Sequence, residues 1–400
     1  MAHGKKRGWL RGMQNKFYTA DNLFVLDGLD SESVDLIYLD PPFNSKRTYS
    51  APVGSKAAGA SFKDMWTWDD VNEGYLEGLI DNYPFLVQFI ESVKVIHSKA
   101  MMAYLTFMTQ RIIEMHRVLK PTGSLYLHCD PTASHYLKVV LDRIFGAGRF
   151  MNEVVWERTT GRSNARKYAR VHDIVLYYSK SGKYTWNGYW TPLTDTQVNR
   201  DYRYEDDKGK YRTTRIDSPT KNSGYRYSFH GQMGPWRYPE KRLLEIEKEG
   251  LIWWPQKEGA MPYRKLYLDD NKGNAIRDVI TGIYPQRGEQ RTGYPTQKPL
   301  KLLERIIKAS SNEGDVVLDP FCGCATTCVA AQRLGRKWIG IDIEDNAVNQ
   351  VIDRLSDDAG LFSDFVSLTE PPVRSDVHKA VGDVKGNLYK TVWAVQWMRH

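Results

Sequence analysis

Strand-length apolar runs alternate with helix-spaced segments at both ends of this chain, and that alternation narrows the possible folds more than any other feature. Val34–Leu39 is a short apolar run cut off by Asp40, Pro41 and Pro42. Proline cannot donate to a strand ladder and pushes its predecessor away from helix, so the run predicts a buried strand that ends at Asp40. Helical spacing from Tyr104 to Leu119 leads into a strand at 124–128, a helix at 134–144 and a strand at 152–156. The theme returns later as a helix at 299–310, a strand at 316–318, a helix at 325–334 and a strand at 338–341. This pattern predicts an α/β fold, a doubly wound and mostly parallel sheet with helices on both faces.

The stretch 157–290 breaks the pattern and reads as an inserted or separate recognition module. Within 151–290 there are 25 basic against 18 acidic residues, which is +7 of the net charge of +8, and 21 of the 49 aromatic residues. Cations beside flat side chains suit a nucleic-acid surface, and equally a solvated basic face beside an aromatic core. Arg162, Arg166, Lys167 and Arg170 form the densest basic stretch and are the candidates for phosphate contacts. Residues 44–75 read as a long polar loop of functional character. The tail after about residue 356 shows no assignable pattern.

Composition excludes several classes. With 41% hydrophobic and 26% charged residues the chain is neither disordered nor fibrous. No window approaches the apolar length of a membrane span, and the basic N-terminal residues precede no apolar run, so neither a membrane nor a secreted protein is expected. Three of the four cysteines fall within seven positions, which excludes a disulfide framework and suits a reducing compartment.

Three constellations carry chemistry. In Asp40-Pro41-Pro42-Phe43, a carboxylate, a carbonyl and an aromatic plate stand just past a buried strand, where ligands gather in open α/β sheets. They suit a flat ring bearing an amine, which would donate to Asp40 and the Pro41 carbonyl and stack on Phe43, and they also suit a plain strand-ending turn. The second is Leu318-Asp319-Pro320-Phe321-Cys322-Gly323-Cys324-Ala325-Thr326-Thr327, a strand running through small residues into a helix, where a ligand can approach the backbone. About twenty residues on, a strand ends at Asp342, placed to accept from ribose hydroxyls. No phosphate-binding glycine run accompanies it, so a nucleoside without phosphate fits best. The Cys322, Cys324, Cys328 spacing serves zinc poorly and small-residue packing well, and no metal is expected. The third is Tyr294-Pro295-Thr296-Gln297-Lys298-Pro299, in which Thr296 and Lys298 reach a ligand or the segment simply punctuates a helix start.

Together these segments resemble the amino-methyltransferases that methylate exocyclic amines of DNA bases with S-adenosyl-L-methionine. Asp40 to Phe43 resembles the catalytic element of that family, Asp319 to Thr327 its cofactor element, and Pro295 to Leu318 the lead-in to it. The catalytic element comes first, with a recognition region between, as in the permuted beta group. The resemblance spans roughly 18–355 and implies a Rossmann-like methyltransferase fold. Its catalytic half would be 18–156, its target-recognition region 157–290 and its cofactor half 291–356, with 357–400 unassigned.

The resemblance also implies roles. Asp40, Pro41, Pro42 and Phe43 would hold the target base; Asp21, Thr296, Lys298, Asp319, Phe321, Gly323, Thr326, Thr327 and Asp342 would hold the cofactor. Two positions depart from the family pattern: Ala325 replaces its last glycine and Tyr294 its usual histidine. An initial Asp points to N6 of adenine, with N4 of cytosine and a non-catalytic nucleic-acid-binding relative as the alternatives. Double-stranded DNA is the implied partner, and a homodimer and a cognate restriction endonuclease stay open. The expected location is the cytoplasm of a prokaryote, with the chain cellular or phage-encoded.

Overall fold

A computed structural model describes residues 15–43, 47–50, 61–64, 67–71, 73–160, 166, 168–220, 223–257, 259–285, 297–344, 349 and 365–376. Among these the largest sheet has nine strands: β1 (Asn15–Thr19), β2 (Val34–Leu39), β3 (Leu119–Cys129), β4 (Phe150–Glu157), β5 (His172–Ser179), β6 (Val279–Ile280), β7 (Val316–Asp319), β8 (Lys337–Asp342) and β9 (Phe365–Leu368). Their order across the sheet is β6-β4-β5-β3-β2-β7-β8-β1-β9. β5 runs antiparallel to both of its neighbours, and every other pairing is parallel.

The alternation of β2 explains why the sheet is covered twice. Ile37 and Leu39 join one apolar cluster and Leu36 and Tyr38 the other, all essentially inaccessible to water. The first cluster is closed by α1 (Asn22–Gly28), α2 (Lys99–Val118) and α3 (Ser134–Phe145). The second is closed by α4 (Leu300–Ser310) and α5 (Thr326–Arg333), where Leu302, Leu303, Ile306 and Ile307 recur at helical spacing. Buried on both faces, the strands read as continuous apolar runs, as parallel sheets require. At the Val34/Leu36 irregularity in the β2–β3 register, Asp35 accepts from the Val316 amide at 2.9 Å and from Lys120 at 2.8 Å, tying β7 to β2.

The structure differs from the sequence expectation in several places. The strand at 172–179, assigned from sequence to the recognition module, lies inside the large sheet. Its side chains are apolar on both faces, Leu176 and Tyr178 on one and Val175 and Tyr177 on the other, which suits a central strand. The second compact unit is therefore narrower than 157–290 and covers Gly188–Ile276. The expected loop 44–75 contains a short antiparallel pair, Arg47–Ser50 with Ser61–Asp64, and runs into a helix at Glu73–Asn82. β1, α1 and β9 carried no strong periodicity of their own and were not expected.

The second unit is built on a four-stranded antiparallel sheet of Ile252–Trp253, Tyr263–Tyr267, Gly209–Arg215 and Tyr204–Asp206. Its own core gathers Ile216, Phe229, Trp236, Leu243, Ile246 and Ile252. No helix among the described residues is long and apolar enough to cross a membrane.

Candidate active site

Parallel strands deliver their carboxyl ends to one edge, and here that edge carries Asp40 after β2, Asp319 at the end of β7 and Asp342 at the end of β8. Reversed β5 brings its amino end to the same edge, because Ile174 pairs with Cys129 and Val175 with His128. A cavity of about 550 Å³ opens there. Its lining includes Asp40–Phe43, Gln297, Lys298, Phe321, Gly323, Thr326, Thr327, Asp319, Asp342 and Asp21, so segments from all three constellations meet in one place.

Around Asp40 the chemistry is ionic. One carboxylate oxygen pairs with the ammonium of Lys298, the two side chains being 17% and 10% exposed. The other, Oδ1, is buried without a hydrogen-bond partner and lies 3.9 Å from Nδ1 of His128. The Lys298 ammonium also sits 5.5 Å from the centre of the Phe43 ring. Sequence grouped Lys298 with the cofactor residues; its charge is engaged with Asp40. Fully buried His128 has Nδ1 2.8 Å from the Tyr38 hydroxyl and Nε2 3.3 Å from Asp173. Burial pushes the Asp173 carboxyl up, but the hydrogen bond and charge of His128, with Arg158 and Lys298, outweigh it and hold the group below its ordinary value. Burial drives the Tyr38 hydroxyl well above its usual range, helped by the charges of Asp40, Asp319 and Asp173.

The small-residue turn is organised by two carboxyls. Asp319 accepts from the Phe321 amide at 3.0 Å and the Thr327 hydroxyl at 2.5 Å. Burial raises it to about 7 against those bonds, with Asp40 and Asp342 adding repulsion. Asp342, also raised by burial, accepts from the Gly323 amide at 2.7 Å and the Glu344 amide at 2.9 Å. Ala325, where the family pattern has glycine, precedes α5 with φ of 60° in the left-handed region. Cys322 and Cys328 lie with sulfurs 3.3 Å apart, packed close to Gly340. Among the described residues no group of three or more His, Cys, Asp or Glu is arranged to hold a metal ion.

Asp21 caps α1 by accepting from the Leu23 amide at 2.8 Å. It also accepts at 2.8 Å from Arg111, a buried guanidinium that lies 3.3 Å over the Phe107 ring and donates to Asn22 at 2.5 Å. Asn22 in turn donates to the Pro320 carbonyl at 2.7 Å, so Asn22 ties α1 to the turn after β7 and Arg111 ties α2 to Asp21 and Asn22. Arg111, Asn22, His128 and Asp173 escaped the sequence reading. The signal was present for two of them: Arg111 interrupts the apolar face of α2 between Met108 and Ile112, and His128 closes an apolar strand run.

Arg166 and Arg170 are exposed on the segment between β4 and β5 and do not line the cavity. Thr296, Tyr294, Arg162 and Lys167 lie outside the described residues.

Comparison with known proteins identifies the family. The family model described as "DNA methylase" matches residues 34–353. The Type II methyltransferase M.EcaI of Enterobacter cloacae is 30% identical over 89% of this chain and 72% of its own length. The DNA adenine methyltransferase YhdJ of Escherichia coli is 27% identical over 84% of this chain and 80% of its own. Among solved structures, a candidate DNA modification methylase from Thermus thermophilus aligns with a TM-score of 0.44 at 17% identity, over 88% of this chain and 99% of that one. With a single family model running from β2 through the cavity-lining turns and beyond β8, the chain belongs to the DNA methylases.

Proposed function

We propose that this DNA methyltransferase transfers a methyl group from S-adenosyl-L-methionine to the exocyclic N6 of adenine. The observation that carries the proposal is the meeting of Asp40, Asp319 and Asp342 in one cavity. The lining suits that cofactor. Seven carboxyl groups, Asp21, Asp40, Asp69, Asp70, Asp319, Asp342 and Glu344, stand against two cations, Arg111 and Lys298. Such a cavity repels phosphate and attracts a ligand bearing sulfonium and ammonium charges. Asp342 and Glu344 are the acceptors for ribose hydroxyls, and Asp21, held by Arg111, stands toward the nucleoside base. When bound, S-adenosyl-L-methionine supplies an electrophilic methyl group.

An aromatic amine is a weak nucleophile because its lone pair is delocalised. Accepting both amine hydrogens on Asp40 and the Pro41 carbonyl localises that lone pair and aims it, so positioning and electrostatics carry the rate. Phe43 offers a stacking face to a base that has left the duplex, which chemistry at the amine requires. The initial Asp of the tetrapeptide and the adenine enzyme among the relatives support N6 of adenine. Arg162, Arg166, Lys167 and Arg170, with the unit Gly188–Ile276, are the proposed DNA contacts. A cytoplasmic protein serving a restriction system, as a homodimer or beside a cognate endonuclease, fits the same proposal.

The test is sequencing of DNA from cells expressing the chain, with detection of modified bases. N6-methyladenine at a defined site is expected; N4-methylcytosine in its place overturns the base assignment, and no modification of either base overturns the activity.

A further inference from the structure

His128 has no part in the scheme above, yet it occupies the centre of the charged network beneath the cavity. It is fully buried near the end of β3, and four elements face it: Tyr38 on β2, Asp40 on the turn after β2, Trp156 on β4 and Asp173 on β5. Trp156 meets the ring edge-on at 5.6 Å between centres, which fixes its plane. Phe43 lies over it at 5.9 Å with only 30° between planes. Behind Asp173 stands Arg158 at 2.8 Å, and Lys298 holds the outer oxygen of Asp40.

This placement decides which atoms can bond. Nε2 faces the Asp173 carboxylate, which only accepts, so Nε2 carries a hydrogen and donates. Nδ1 faces the Tyr38 hydroxyl and, 3.9 Å away, the buried oxygen of Asp40 that has no partner. A buried carboxylate oxygen without a donor is costly, and at 3.9 Å the ring nitrogen is within ion-pair reach of it.

We propose that His128 is a positioning residue for Asp40. The ring pairs with the inner oxygen of Asp40 across 3.9 Å, its Nδ1 lying on the Tyr38 hydroxyl and its Nε2 on Asp173, so that the outer oxygen faces the cavity and the amine. The same ring sets the floor under Phe43, so one side chain orients both the acceptor and the stacking face. The proposal rests on Asp40 being the amine acceptor.

The test compares His128→Leu with His128→Asn in single-turnover methylation of duplex DNA. Leu fills the space without a donor, whereas Asn keeps an N–H near the place of Nδ1. The Leu variant is expected to lose about a hundredfold in rate, the scale of losing one oriented group in a site, and the Asn variant to recover most of it. Dissociation constants for S-adenosyl-L-methionine and duplex, measured by titration, should move less than about twofold, since the ring touches neither. A Leu variant within threefold of wild type, or Leu and Asn variants equally slow, overturns the proposal. If the Leu variant does not fold, the isosteric Asp173→Asn takes its place, with about a tenfold loss expected and a wild-type rate overturning it. Asp40→Ala, run alongside, separates the two levels: if it retains activity, the Asp40 assignment fails, whatever His128 does.

Discussion

Asp40 and Lys298 stand 258 residues apart in sequence and form an ion pair at the floor of the cavity. The ammonium of Lys298 engages one carboxylate oxygen of Asp40, and the other is buried without a hydrogen-bond partner. Asp40→Ala is expected to abolish methyl transfer while leaving the affinity for S-adenosyl-L-methionine within a few-fold. Labelled-methyl transfer and calorimetric titration check it; turnover near that of wild type would remove Asp40 from the chemistry.

Asp342 serves two ends at once, because its carboxylate accepts from Gly323 and Glu344 while facing the cavity. Asp342→Ala should weaken cofactor binding by about 1–3 kcal/mol, typical of lost charge-assisted bonds. Unchanged affinity by titration would move the ribose contact to Glu344.

Ala325 holds φ of 60° with a fully buried methyl. Left-handed backbone costs a non-glycine residue about 1–2 kcal/mol. Glycine relieves that strain but loses a methyl contact and gains freedom in the unfolded chain, roughly 1 kcal/mol in the other direction. Ala325→Gly is therefore expected to be neutral to about 1 kcal/mol more stable, and Ala325→Val to lose more than about 2 kcal/mol through strain and crowding. Denaturant titration of both variants decides; equal stability of the Val variant would remove the strain argument.

Asp319 gives the protein a pH signature. Its folded value of about 7 lies above its ordinary 3.8, so the folded state keeps a proton that the unfolded state has lost. Stability from this group is complete below about pH 4 and declines as pH rises toward 7, by at most about 4 kcal/mol. Asp319→Asn removes the titration, so its stability relative to wild type should improve steadily between pH 4 and 7. Thermal unfolding across that range measures it, and parallel pH profiles would count against burial raising this carboxyl.

Arg166 and Arg170 are exposed and outside the cavity. If they neutralise phosphates, replacing both with Ala should flatten the log–log dependence of DNA affinity on salt by up to about 2. Cofactor affinity should not change. An unaltered slope would assign them to solvent.

What the sequence revealed and what it hid have separate physical causes. The strands β2, β3, β7 and β8 were legible because burial on both faces leaves continuous apolar runs with sharp Pro or Gly ends. The three constellations stood out because each sits at a strand end or a helix start, and the structure brings residues of all three to one cavity. β5 was read into the wrong unit, since an apolar run gives no sign of which sheet it joins. The Arg111–Asp21–Asn22 linkage and the surroundings of His128 were hidden because they join residues about ninety positions apart, and local spacing carries no record of such meetings.

The order of strands also governs how the chain is made. β2 and β7 are neighbours at the middle of the sheet, and the Asp35–Val316 bond that ties them spans 281 residues. During synthesis β2 is complete long before β7 exists, and one edge of its ladder stays bare while the intervening unit emerges. Such long-range pairing is slow to form, and a bare apolar edge invites other chains. Truncations that stop short of residue 316 should therefore yield aggregation-prone protein rather than a folded catalytic half. Asp40 and Asp319 can line one cavity only once both segments exist.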